Sequence, residues 1–143
     1  MKPAPRPSFA SEPPETTLTR TALPIRVAHV SKDLVLGSYA NVHLSVYRVT
    51  PTVELLKLDQ KHHEALHAIV GPTAVCTVTA FGVALPDSGA RAIASELVRK
   101  NARFVRAAAT LTEGDGFWAS AARSAVTAVF LLARQPYPSR VFG

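Results

Sequence analysis

Cysteine is almost absent from the sequence, since Cys76 is the only one. A single cysteine cannot form a disulfide within the chain, and its place in the apolar run from Thr73 to Thr79 predicts a small buried side chain. Long apolar runs are also missing: no stretch approaches the roughly 20 residues of a membrane span, and the N-terminus lacks the apolar segment of a secretory signal. We therefore expect a cytoplasmic protein without a membrane span.

Aromatic residues are scarce, at 7% of the chain against 48% for hydrophobic residues in all. This composition predicts a globular core of Ala, Val and Leu, and 143 residues suffice for one domain. The first 24 residues differ from the rest, because they contain six of the 11 prolines. We expect residues 1–24 to form a disordered tail and residues 25–143 to form the domain.

Acidic residues are outnumbered by basic ones, which gives the chain a formal net charge of +6. Such an excess admits an acidic partner, for example a nucleic acid. The basic residues are spread thinly, however, and they do not alternate with aromatic side chains as they do on a base-stacking surface. A nucleic-acid-binding adaptor is therefore an alternative and not the main hypothesis.

Short apolar runs alternate with longer periodic segments from residue 25 onward. A strand pair over 25–30 and 34–38, a strand over 41–49 with a period of two, and strands over 73–81, 104–111 and 140–142 are predicted. Helices are expected from Thr50-Pro51-Thr52 to Gly71, over 87–100 and over 115–133. Strands that alternate with helices indicate an α/β fold with mainly parallel pairing. The predicted buried stripe of the first helix is Leu55, Leu58, His62, Leu66 and Ile69.

The stretch KHHEALH contains His63-Glu64-x-x-His67, the signature of zinc proteases, with two histidine ligands and a glutamate as general base. No further histidine follows at the spacing of a third ligand, and Glu96 is placed on the solvent side of its own helix. We expect His63 and His67 to flank the buried stripe on a semi-exposed strip with Gln60, in a structural or solvated role, with His62 nearest the core. A small zinc-dependent hydrolase remains an alternative, and no cofactor is otherwise expected.

Two segments follow a strand and open a helix, where unpaired backbone N–H groups attract negative charge. The first contains Asp87, Ser88 and Gly89, and Asp87 or Ser88 can cap the helix. The second contains Gly116, Phe117 and Trp118. Ligands of open α/β sheets bind at the carboxyl ends of the strands, which favours a binding site at these segments. Arg123, on the third helix, completes the set of candidate binding residues.

These segments also carry a resemblance to a family. The combination of LPDSGARAIASELVRK, GDGFWASAARS and RQPYPSRVF is similar to STAS-like proteins of bacteria, the superfamily of the anti-sigma-factor antagonists. The resemblance covers residues 25–142 and implies one STAS-like domain with a mixed sheet of four or five strands and helices mainly on one face. It places Ser88 at the phosphorylated position of the family, although only one hydroxyl residue stands there, and it implies a signalling role with a protein partner.

The third helix is apolar nearly all round, so one sheet face cannot cover it. We expect Phe130 and Leu131 to pack against a second subunit, in a homodimer, or against another protein. Together these observations favour a non-enzymatic interaction module that binds a protein partner or a small ligand around Ser88 and Trp118.

Overall fold

The structure, a computed structural model, describes residues 24–143. The predicted tail therefore lies outside the described residues, apart from Pro24. Six strands and three helices follow one another. They are β1 (Arg26–Val30), β2 (Leu34–Tyr39), β3 (Val42–Tyr47), α1 (Val53–Val70), β4 (Thr73–Thr79), α2 (Ser88–Asn101), β5 (Val105–Thr112), α3 (Phe117–Ala133) and β6 (Ser139–Phe142).

The six strands form one mixed sheet in the order β1-β2-β3-β4-β5-β6. The first two pairings are antiparallel, and the three from β3 to β6 are parallel. This confirms the predicted α/β class with a mostly parallel sheet, although the sheet has more strands than the four or five expected. Each parallel crossover steps in the same direction, so right-handed connections place all three helices on one face.

Helix α1 begins and ends where its sequence predicts. The Thr52 hydroxyl accepts a hydrogen bond from the Leu55 N–H at 3.3 Å, which satisfies one of the free donors of the first turn. Gly71 ends the helix with a φ of 78°, a conformation open to glycine, and its N–H donates to the His67 carbonyl. None of the helices in the described part of the chain is both long and apolar enough to cross a membrane.

The apolar core lies between α1 and the antiparallel half of the sheet. Leu34, Leu36 and Tyr47 are buried there, and three leucines of α1 pack against them. Those three are Leu55, Leu56 and Leu58. The core therefore holds the first helix onto β2 and β3.

The predicted stripe of α1 is correct for Leu55 and Leu58, which pack against the core, but it is wrong for the second half of the helix. Gln60 and His63 are the buried residues of this helix, whereas Ile69 is 82% exposed and His62 is only half-buried. The polar side chains turn inward because each finds a hydrogen-bond partner there, which removes the cost of burying them. The helix is thus rotated relative to the orientation that hydrophobicity alone predicts.

We expect Leu36→Ala to lower the free energy of unfolding by about 2–5 kcal/mol, because it opens a cavity in a fully buried position. Leu132→Ala is the matched control, since Leu132 is 73% exposed and its change should cost less than about 0.5 kcal/mol. Urea unfolding followed by circular dichroism measures both. Equal losses in the two variants would contradict the placement of the core.

Candidate ligand cavity and its polar cluster

A cavity of about 220 Å³ lies between the sheet and the helix layer. Its walls are mostly small apolar side chains from β4, β5, α2 and α3, among them Val75, Ala94, Ala108, Ala125, Val126 and Val129. Protein interiors rarely contain voids larger than a water molecule, and an apolar cavity of about 150 Å³ is already enough to bind benzene. This cavity is therefore large enough to hold a small organic molecule.

The end of the cavity near α1 is formed by a cluster of paired polar groups. The Asp59 carboxylate accepts hydrogen bonds from the Tyr47 hydroxyl at 2.6 Å and from His43 Nε2 at 2.5 Å. Burial, with the charge of Asp59 beside it, holds the pKa of Tyr47 well above its ordinary value. Tyr47 therefore stays protonated and serves as a hydrogen-bond donor.

His63 extends this cluster toward β4. Its ring stacks on His43 with centroids 4.6 Å apart, and its Nε2 shares a 2.8 Å hydrogen bond with the Thr73 hydroxyl. Burial, followed by the neighbouring His43, lowers the pKa of His63 to about 4. His63 is therefore an uncharged structural histidine at neutral pH.

A pair of amides joins α1 to α2 at the same end. Gln60 and Asn101 exchange two hydrogen bonds of 2.8 Å each, and both side chains are buried. Because each amide satisfies the other, this contact fixes the distance between the two helices at little desolvation cost.

The opposite end of the cavity lies at the carboxyl edge of the parallel strands. Thr79, Thr112, the loop 83–86 and Arg91 border it there. The Thr112 hydroxyl is buried and has no hydrogen-bond partner within the described structure. Ala84 and Arg91 are exposed, so the cavity reaches the surface at this edge.

The first predicted binding segment borders this opening. Asp87 caps α2, because its carboxylate accepts the Ala90 N–H at 2.7 Å. Ser88 and Gly89 are exposed beside it, while Pro86 and Ala90 line the cavity. The expected cap is therefore present, and the predicted segment lies next to the cavity opening.

The second predicted segment begins at the same edge of the sheet, where the end of β5 is hydrogen-bonded to the end of β4. The Glu113 N–H donates to the Thr79 carbonyl at 2.9 Å, and the Phe81 N–H donates to the Glu113 carboxylate at 3.3 Å. Gly116 precedes α3 with a φ of 90°, and Phe117 is exposed at the first position of the helix. Trp118 lies in the first turn of α3, and its side chain is outside the described part of the structure.

The remaining predicted residues lie along α3. Arg123 is half-buried and close to the C-terminal Gly143, and it does not line the cavity. Phe130 faces the cavity and is half-buried, whereas Leu131 is 73% exposed. Of the pair expected at a subunit interface, only Leu131 thus belongs chiefly to the outer surface.

Each residue of the zinc-protease motif has a structural partner, and both histidines pack against the Phe104 ring. His63 is turned inward, whereas His67 donates from Nδ1 to the Gly71 carbonyl at 2.6 Å and stacks on Phe104. Glu64 pairs with Lys100 at 2.6 Å on the helix surface. Within residues 24–143, no three His, Cys, Asp or Glu side chains are grouped so that they could hold a metal ion. These partners do not favour the zinc-hydrolase alternative.

Sequence reasoning missed the inward-facing polar residues, although the strands contain a signal for them. His43, Ser45 and Tyr47 alternate along β3, and Thr77, Thr79, Thr110 and Thr112 alternate along β4 and β5. Register places them all on the helix side of the sheet. A period of two with polar residues at aligned positions of neighbouring strands thus marks the lining of the cavity.

We expect the free energy of unfolding to fall between pH 6 and pH 4 by about 1.4 kcal/mol per pH unit, because of His63. The unfolded chain binds a proton at this histidine near pH 6.5, whereas the folded chain binds it only near pH 4, so acid favours unfolding in this window. His43, Asp59, Glu64 and His67 are the titratable groups that act on it.

Urea unfolding at half-unit pH steps measures this slope, and His63→Gln is the comparison, since it keeps a hydrogen-bonding side chain but cannot titrate. The variant should lose most of the slope. An unchanged slope would assign the acid sensitivity to another group.

Comparison of the chain with family models, with curated proteins and with solved structures finds no match.

Proposed function

We propose that this protein is a non-enzymatic binding module that holds a small apolar molecule with one polar head in the cavity between its sheet and its helices. The observation that carries the proposal is the Thr112 hydroxyl, which is buried at the border of an apolar cavity and lacks a partner. A buried hydroxyl without a hydrogen bond costs about 1–3 kcal/mol. A ligand that supplies the missing partner removes this cost.

The opening suggests the chemistry of the head group. Arg91 borders the cavity at its exposed end and donates to the Pro86 carbonyl at 3.0 Å, which leaves further guanidinium donors for a ligand. The net charge of +6 also attracts anions from a distance. A carboxylic acid of about ten non-hydrogen atoms fits both the volume and the charge, with its apolar part under α2.

The inner end of the cavity supports binding in preference to catalysis. His43, Asp59 and Tyr47 are paired with one another, and His63 is paired with Thr73. These bonds hold the side chains in fixed positions as a structural cluster. Binding at the opening would fix the loop before Ser88 in one conformation. It would thereby also fix the adjacent surface, which the STAS resemblance assigns to a protein partner.

Octanoate should bind with a Kd on the order of 100 μM, since small ligands gain up to about 1.5 kcal/mol per atom and usually much less. Isothermal titration calorimetry measures this affinity. Thr112→Val keeps the shape of the side chain and removes the hydroxyl, so it should weaken octanoate binding about tenfold. 1-Octanol, which has the same chain without the charge, should bind more weakly than octanoate to the unchanged protein.

Ala94→Leu tests the location of the ligand, because it fills the cavity from α2. Ala92→Leu is the matched control on the exposed side of the same helix. Binding should disappear in the first variant and persist in the second. Equal affinity in both would place octanoate elsewhere and contradict the proposal.

A further inference from the structure

The face of the sheet that carries no helix is apolar. Register assigns its outward side chains, because they alternate with those that line the cavity. From β1 to β6 they are Val27, Val30, Val35, Gly37, Tyr39, Val42, Leu44, Val46, Ala74, Cys76, Val78, Ala107, Ala109, Leu111, Arg140 and Phe142. Arg140 is the charged residue of this set, and the exposed Arg106 stands at the register shift of β5.

Such a face is unusual for a surface in water. A sheet with one solvated face alternates apolar residues inward with polar residues outward, and parallel strands are normally covered on both faces. Here most of the inward residues of β3 to β5 are polar, although Val75, Val105 and Ala108 also point inward, and the outward residues are mainly apolar. Val30 is 65% exposed and Leu111 is 42% exposed. The outer face therefore has the composition of a buried layer.

The outward residues form three rows across the strands, which differ in size. The row at the carboxyl ends of the parallel strands is large and contains Val46, Val78, Leu111 and Phe142. The row at the amino ends is small on β4 and β5, where it contains Ala74 and Ala107. The middle row contains Leu44, Cys76 and Ala109. The face thus has a ridge beside a shallow trough.

We propose that this outer face binds the same face of a second copy of the chain in a two-fold dimer. A two-fold axis that runs across the strands at the middle row reverses the strand direction of the second copy. It therefore places the ridge residues Val78 and Leu111 over the trough residues Ala74 and Ala107 of the other copy, and the reverse. Each Cys76 then lies opposite its counterpart in the middle of the interface.

The size of the face fits a stable dimer. Six strands spaced about 4.8 Å apart span about 29 Å, and the three rows extend about 20 Å along the strands. The flat area of the outer face is therefore about 600 Å² in each copy, without the additional area of its protruding side chains. Stable protein interfaces bury about 1,200–2,000 Å² in total. Two such faces meet the lower limit of this range.

Charge also favours a second copy on this face. A net charge of +6 makes two copies repel each other over most of their surface. The outer face holds two arginines in each copy: Arg140, in the middle row on the edge strand β6, and Arg106, at the register shift of β5. Both are exposed, so their guanidinium groups can stay in solvent. Few charges on this face therefore oppose contact between two copies.

A matched pair of variants tests the interface. Leu111→Glu puts a charge on the outer face, at a position that is already 42% exposed, so the fold should tolerate it. Leu131→Glu makes the same change on α3, at 73% exposure, where the sequence predicts the interface instead. Sedimentation equilibrium at several concentrations should give twice the 15.3 kDa chain mass for the unchanged protein and for Leu131→Glu, and the single mass for Leu111→Glu.

The single cysteine provides a second measurement that needs no variant. Alkylation of Cys76 by iodoacetamide, followed by mass spectrometry, should slow at least fivefold as the concentration is raised through the dimer range. It should stay fast in Leu111→Glu. A dimer in which Cys76 stays reactive, or that only Leu131→Glu dissociates, would place the interface on α3 and overturn the proposal. A monomer at all concentrations would also overturn it, and a protected Cys76 in that monomer would indicate cover from within the chain.

Discussion

The Asp59 carboxylate, with its hydrogen bonds from His43 and Tyr47, fixes the orientation of α1 on the sheet. A carboxylate that is largely removed from water needs donors, and hydrogen bonds to a charged group each contribute about 1.5–3 kcal/mol. Only one rotation of α1 presents Asp59 to both partners on β3. That rotation also turns Gln60 and His63 inward, where they form hydrogen bonds with Asn101 and Thr73 respectively. One hydrogen-bonded carboxylate thus determines which side of the helix is buried.

The cavity follows from this arrangement together with the small side chains of α2 and α3. The amide pair of Gln60 and Asn101 sets the separation of α1 and α2 at one end of the helix layer. Along the rest of α2 and α3, alanines such as Ala94 and Ala125 reach only a short way toward the sheet. The strands cannot close this gap, because they are fixed by their ladder of hydrogen bonds. The space remains, and it is lined by threonine hydroxyls on the sheet side.

The fold was predictable from the sequence because its signals are local. Proline precedes the first turn of α1, and glycine ends the helix. The alternation of strands and helices requires crossover connections between parallel strands. The rotation of α1 was not predictable from hydrophobicity, because Ile69 looks like a core residue and Gln60 looks like a surface residue. Their actual positions depend on partners far along the chain, such as Asn101. The two helix starts were correctly assigned to one edge of the sheet, but the cavity behind them depends on packing that no local pattern records.

The inner face of the sheet is more polar than its outer face, which is the reverse of the usual arrangement. Along β3, β4 and β5 most of the side chains that face the helices are polar, and most of those that face outward are apolar. A strand with this pattern satisfies its polar groups in an inner cluster or with a bound ligand, and it gains hydrophobic stabilisation only when the outer face is covered. Shifting a strand by one residue would turn its inward side chains outward and its outward side chains inward. The register therefore determines the composition of both faces. The inward threonines and the outward valines are thus two consequences of one register.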